Sequence, residues 1–149
     1  MTIFVASDHN GFNLKKDLKA YLVSKGLEVS DCGDEHYSST DDFPQFASKA
    51  VMSLLASKDP KDRAILICGS GQGMCMAANR FKGIRASLCT STLLAYDARH
   101  DDDSNVLCLS AKEISNEENF NITNVFLRTE FSGATRFIRR IKELDELGL

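Results

Sequence analysis

No run of about 18 apolar residues occurs anywhere in the chain, which excludes a transmembrane helix. The opening MTIFVASDHNG carries no basic stretch ahead of its apolar residues, so no signal peptide is expected. The five cysteines, Cys32, Cys68, Cys75, Cys89 and Cys108, are odd in number and never fall at CxxC spacing. A disulfide framework is therefore not expected, and the thiols point to a reducing cytoplasm. Positive charge is also in short supply: 18 Lys and Arg face 21 Asp and Glu, for a net charge of −3. With no positive field to offset phosphate repulsion, nucleic acid is not expected as the main ligand. A local basic cluster could still hold a single phosphate group. There is no internal repeat and no long linker.

What is present is enough for one folded unit. The 149 residues favour a single domain over 1–149, and 43% hydrophobic residues supply its core. Short β-type runs alternate with helical patterns. Strands are expected at 2–7, 27–31, 63–69, 83–90 and 104–111. Helices are expected at 12–25, from Pro44 to about Ser57, at 74–81, at 91–101, and near 115–129 and 134–147. The first helix places Phe12, Leu14, Leu18, Tyr21 and Leu22 near one face and Lys15, Lys16 and Lys19 largely on the other. Gly26 suits its C-cap. The polar stretch 32–42 reads as a loop. RAILICG is continuously apolar from Ala64 to Cys68, as in a strand buried on both faces. Alternation of this kind predicts an α/β fold with a five-stranded parallel sheet covered by helices on both faces. Ligands of such sheets sit at the carboxyl ends of the strands. That rule selects SDHNG after the first strand, CGSGQG after the third, and the segment from 112 onward after the fifth.

The strongest local signal is ILICGSGQGM (65–74), where Gly69, Gly71 and Gly73 alternate between a strand and a helix start. Such glycines let several backbone N–H groups approach one anionic atom. The lysine of GxxxxGK[ST] is missing and the spacing is not GxGxxG, so this is not a nucleotide loop. The competing reading is a plain tight turn. Cys68 ends the strand, and a thiol facing N–H groups has its thiolate favoured. A thiolate can act as a general base; the alternative is a small buried hydrophobe. Cys75, Cys89 and Cys108 lie in apolar element interiors and read as core. Asp8 and His9 could bind a polyol and a phosphate, or cap the following helix. Arg136 and Arg140, four apart on one helix face, can clamp a phosphate or form a solvated basic face. In ARHDDDSNVL (98–107), His100 and the three aspartates Asp101, Asp102 and Asp103 leave open a metal site, a solvated helix end or a catalytic centre.

In order along the chain stand S-D-H-N-G-F-x-L-K, D-x-P at Asp42 and Pro44, I-C-G-S-G-x-G-M-x-x-A-A-N-[KR]-x-x-G-I-R-A, and A-R…S-N-V-L. This set resembles the ribose-5-phosphate isomerase B family, which includes the galactose-6-phosphate isomerase subunits, and it spans nearly the whole chain. The resemblance implies a Rossmann-like three-layer sandwich with a C-terminal helix. It also implies a homodimer or homotetramer with active sites at the subunit interface, and no metal, nucleotide or other cofactor. The implied reaction is aldose–ketose isomerisation of a sugar phosphate. By position, Cys68 matches the general base and Ser70, with the N–H groups of Gly69, Gly71 and Gly73, matches the enediolate-stabilising element. Asp8 matches a sugar-contacting acid, and His9, Arg136 and Arg140 match phosphate contacts. Asn105 matches an asparagine near the substrate, and Lys112 stands where an arginine is usual.

There are departures. The family's G-G-R-H-x-R-R reads G-A-T-R-F-I-R-R at 133–140, with Phe137 in place of histidine. Members typically read A-R-x-H-N-x-x-N, the histidine being assigned to opening the furanose ring. Here Asp101 holds that position, Asp102 follows, and His100 comes one residue early. Three explanations are open. Asp101 itself moves the ring-opening proton, a rearranged helix end brings in His100, or the substrate needs no ring opening. A tetrose 4-phosphate such as erythrulose 4-phosphate meets the third condition, because its O4 is esterified. A non-catalytic phosphosugar-binding subunit is a reading from another class, and a flavodoxin-like protein is a third. Consecutive acids cannot all face one ion on a helix, so the metal reading of 101–103 falls away.

Overall fold

The computed structural model describes residues 1–148 and has the α/β architecture expected. Five strands, β1 (Thr2–Ser7), β2 (Glu28–Asp31), β3 (Arg63–Cys68), β4 (Ala86–Leu88) and β5 (Val106–Ser110), form one parallel sheet in the order β2-β1-β3-β5-β4. Six helices accompany it: α1 (Phe12–Ser24), α2 (Phe43–Ala56), α3 (Gln72–Ala78), α4 (Thr92–His100), α5 (Asn116–Arg128) and α6 (Thr135–Asp145).

The apolar run of β3 divides between two cores by strand alternation. Ile65 and Ile67 point to the side covered by Leu14, Leu18, Ile122 and Phe126 of α1 and α5, joined there by Leu107 and Leu109 of β5. Ala64, Leu66 and Cys68 point to the other side, under Phe46 and Val51 of α2 and Met74 of α3. Each fully buried Leu or Ile contributes roughly 2 kcal/mol. Chain order reverses between β1 and β3, so their carboxyl ends open the crevice where open α/β sheets take ligands.

Three expectations are corrected. Lys15 is 2% exposed, not on a solvated face; its Nζ donates to Asp31 Oδ1 at 3.0 Å and to the Asp34 carbonyl at 2.8 Å. A buried ammonium is tolerable only when paired in this way. The third helix begins at Gln72 rather than 74, because Gly71 turns the chain at φ +81 directly into it, and it stops at Ala78. The fourth strand spans only Ala86–Leu88. Residues 83–85 are held as a loop: Gly83 sits at φ +82, and the Asn105 amide accepts from Arg85 N–H at 2.9 Å and donates to the Gly83 carbonyl at 2.8 Å. Gly26, at φ +78, follows Lys25, which is the capping residue of α1. On the free edge of β4, the Asn79 side chain accepts from Ala86 N–H at 2.8 Å and donates to its carbonyl at 2.9 Å.

Candidate active site

The sequence-selected residues fall into two groups at opposite ends of the sheet. The first lies at the carboxyl ends of β1, β3 and β5. Cys68, 5% exposed, ends β3, and its Sγ accepts the Gly71 N–H at 3.1 Å. A Cβ on Gly71 would stand 2.5 Å from Leu88 Cδ1 and 3.0 Å from the Leu109 carbonyl oxygen, so only glycine fits this turn. β5 holds the turn from its other side. Ser110 Oγ and Lys112 N–H donate to the Gly69 carbonyl at 2.8 and 2.9 Å, and Ala111 N–H donates to the Cys68 carbonyl at 3.0 Å. Ser70 is exposed at the tip, its Oγ accepting from Gln72 N–H at 3.3 Å. Gly73 admits the Phe43 ring, which a Cβ would meet at 2.9 Å. Phe43, Gly73, Met76 and Phe81 help to line an open apolar hollow of about 440 Å³ beside the turn.

The β1 loop completes this group. Asp8 is buried and accepts from Gly11 N–H at 3.2 Å, so one of its oxygens caps the turn. Gly11 lies so close to β3 that a Cβ would meet the Ile67 carbonyl at 2.7 Å. His9 is partly exposed, and its Nδ1 lies 2.7 Å from Asp41 Oδ1. That hydrogen bond, with the Asp8 charge nearby, outweighs desolvation and raises the His9 pKa above its ordinary value. Lys112 is exposed on the same side.

The second group lies at the amino end, because α4 runs back from β4 to the start of β5. The nine residues of α4 alone carry the chain about 13 Å. His100 ends this helix. Its ring stacks on Tyr96 (centroids 5.0 Å apart) and meets the edge of Phe137 at 6.3 Å, and its Nδ1 lies 2.7 Å from Asp101 Oδ1. Arg136 covers Phe137, its guanidinium carbon 4.3 Å from the ring centroid, and Arg140 lies at 5.9 Å. Among the described residues, neither arginine forms an ion pair. Asp102 is largely exposed; partial desolvation, then the charges of Asp101 and Asp97, raises its pKa against the pull of Arg140. Asp103 is structural. At φ +46 it turns the chain, and its carboxylate takes Arg99 at 2.8 Å and Arg85 at 3.1 Å. Asn105 also lies at this end, and both ends of its amide are engaged with residues 83–85.

Among the described residues no group of His, Cys, Asp and Glu could hold a metal ion, and no helix is long and apolar enough to cross a membrane. All five cysteines are free; burial pushes the Cys89 thiol up to about 12. Asp41 was missed by sequence reasoning, which had singled out the neighbouring Asp42. No local pattern announces a loop carboxylate whose partner is 32 residues away.

The chain matches the Ribose/Galactose Isomerase family over residues 3–144. It is 43% identical over 142 residues to a probable ribose-5-phosphate isomerase B of Mycoplasma genitalium, covering 95% of this chain and 92% of that one. The fold superposes on the crystal structure of the M. genitalium ribose-5-phosphate isomerase B with bound ribulose-5-phosphate. The TM-score is 0.92 at 42% identity, over 97% of this chain and 93% of the other. A 4-deoxy-4-sulfo-D-erythrose isomerase of Clostridium sp. (strain MSTE9) is 36% identical over 132 residues, or 89% of this chain and 82% of that protein.

Proposed function

The chain belongs to the Ribose/Galactose Isomerase family and is an aldose–ketose sugar-phosphate isomerase, and from that premise we propose that Cys68 is its general base and ribose 5-phosphate/ribulose 5-phosphate its default pair. The observation that carries this reading is the Cys68 sulfur, seated at the mouth of the β1–β3 crevice and accepting the Gly71 N–H at 3.1 Å. In the forward direction the thiolate takes the proton from C2 of the open-chain aldose. The C2–H electron pair forms the C1=C2 bond and O1 takes up a proton, giving an enediol through its cis-enediolate. O2 then loses its proton, the carbonyl forms at C2, and Cys68 returns a proton to C1. Negative charge develops on the oxygens during these steps, and Ser70 with the N–H groups of the glycine turn is suited to stabilise it. Cys68→Ala should cut turnover by at least about a hundredfold and abolish exchange of the C1/C2 proton with deuterated solvent. Unchanged exchange would remove Cys68 from the mechanism.

The phosphate falls to His9 and Lys112 from one side and to Arg136 and Arg140 from the other. One copy holds these groups at opposite ends of its sheet, so we propose a homodimer or homotetramer in which a second copy brings His100, Asp101, Arg136 and Arg140 over the Cys68 turn. The half-open hollow at Phe43 and Met76, the latter 64% exposed, leaves apolar surface for such a partner. Arg136→Ala and Arg140→Ala should weaken phosphorylated sugars far more than free ones.

A second reading of the substrate has its own support. His100 is engaged between Tyr96, Phe137 and Asp101, and Asp101 stands where the ring-opening histidine is usual. The Clostridium relative is named for a tetrose whose C4 bears sulfur; with no O4, that sugar cannot close a furanose. A tetrose 4-phosphate shares this property, and an enzyme for it needs no ring-opening acid. Side-by-side turnover decides: ribose 5-phosphate used as fast as erythrose 4-phosphate would sink the tetrose reading. Activity of the purified single chain would also dispose of a non-catalytic subunit.

A further inference from the structure

We propose that Asp41 is a positioning residue for the anion site, holding the His9 imidazole through Nδ1 so that Nε2 is left to meet the substrate's phosphate. The inference rests on the reading of His9 as a phosphate contact and adds the group that makes it one. Asp41 belongs to the 32–42 loop, far from His9 in sequence, yet one of its carboxylate oxygens serves His9 twice. Oδ1 accepts the His9 backbone N–H at 2.9 Å and lies 2.7 Å from Nδ1. A carboxylate oxygen can only accept, so Nδ1 carries the proton and the ring orientation is fixed. The exposure of the two side chains differs: Asp41 is 7% exposed and His9 27%, so the carboxylate is sheltered while the ring remains reachable.

The charged groups around His9 favour a cationic ring and outweigh its partial desolvation. The titratable groups facing His9 are Asp41 and Tyr37 from the loop and Asp8 from its own turn. The Tyr37 and His9 rings meet edge to face at 6.4 Å, and Tyr37 leans in turn on Phe12 at 5.9 Å, so an aromatic pair packs beside the imidazole. The raised His9 pKa agrees with this arrangement, its largest cause being Asp41. A protonated imidazole donates from Nε2 as a charge-assisted hydrogen bond, the stronger kind for a phosphate oxygen. A merely structural Asp41 would tie the loop to the β1 turn without affecting anion binding.

The test uses the whole enzyme, with Asp41→Asn and Asp41→Glu, and two readouts. The first is the titration of the His9 imidazole followed by NMR with ¹⁵N-labelled histidine, which needs no substrate. The second is affinity for inorganic phosphate at about pH 5.5 and about pH 8, on either side of the ordinary histidine value. Asp41→Asn should lower the His9 midpoint and weaken phosphate about tenfold at the higher pH but little at the lower. Asp41→Glu should restore part of both, and KM for the sugar phosphate should rise more than kcat falls. His9→Asn with Asp41→Asn should be no weaker for phosphate than His9→Asn alone. An unmoved His9 titration, an equal loss at both pH values, or additive effects in the double variant would each overturn the proposal. A shifted titration with phosphate affinity unchanged, in Asp41→Asn and in His9→Asn alike, would instead show that His9 meets no phosphate, and the proposal would fall with that reading.

Discussion

Lys15 shows how much a single side chain can carry. It is buried, and its ammonium joins Asp31 of β2 to the Asp34 carbonyl, while Lys19 takes the second Asp31 oxygen at 2.6 Å. Burial works against ionisation of Asp31, but hydrogen bonds from Lys19, the Gly33 N–H and Lys15 outweigh it, and its pKa is lowered. Its contribution to stability is therefore present above the unfolded value, about 4, and lost as pH falls through the lower native one. Lys15→Met should cost about 2–3 kcal/mol in urea unfolding at neutral pH, because buried hydrogen-bonded charge is left short of a partner. His9 has the opposite sign. Its pKa is raised by Asp41, so its stabilisation is full below about 6.5 and disappears as pH rises through the native value. The urea midpoints of wild type and Asp41→Asn should accordingly converge at alkaline pH. At this scale the sequence was unevenly legible. The place of Cys68 at the end of β3 could be read because strand, glycine and helix meet at it, whereas Lys15 and Asp41 have partners 16 and 32 residues away, which no local pattern contains.

Elements were legible wherever periodicity ran long. β1, β3 and β5 declare themselves by apolar residues, and α1, α2, α5 and α6 by spacing, with ends within about two residues of the expectation. Short elements were governed by contacts instead. β4 shrinks to three residues because Asn105 and Gly83 hold 83–85 as a loop. α3 begins early because Gly71 occupies the left-handed region. The same turn supports a prediction. Gly71→Ala adds a methyl 2.5 Å from Leu88 Cδ1 at a φ of +81. It should destabilise by about 2–4 kcal/mol in thermal unfolding. It should also lower kcat, because relief of the clash moves the N–H that faces Cys68. The end of α4 answers the question of the three aspartates at this scale. Asp103 closes the helix through Arg99 and Arg85, Asp102 is exposed beside Arg140, and Asp101 faces His100.

At the scale of the molecule, the separation of the two residue groups has a testable consequence. Cys68→Ala and Arg136→Ala lie in different groups, and at substrate well below KM each variant alone should have little activity. Mixed and re-equilibrated, they should recover about a quarter of wild-type activity, through the mixed dimers that hold one intact site. No recovery would place all the machinery in one copy. The sequence could suggest shared sites only through its family resemblance, because spacing says nothing about which end of a sheet a distant helix returns to. The margin of the sheet bears on the proposed assembly. An unpaired parallel strand at an edge is an open template for another backbone, and β4 is such a strand. The Asn79 amide occupies both hydrogen-bonding groups of Ala86, mimicking the peptide unit of a neighbouring strand. At Ala86 the β4 edge is thus closed within one chain. Growth of that edge by strand addition, the route to fibres, meets a side chain where it would need a free backbone.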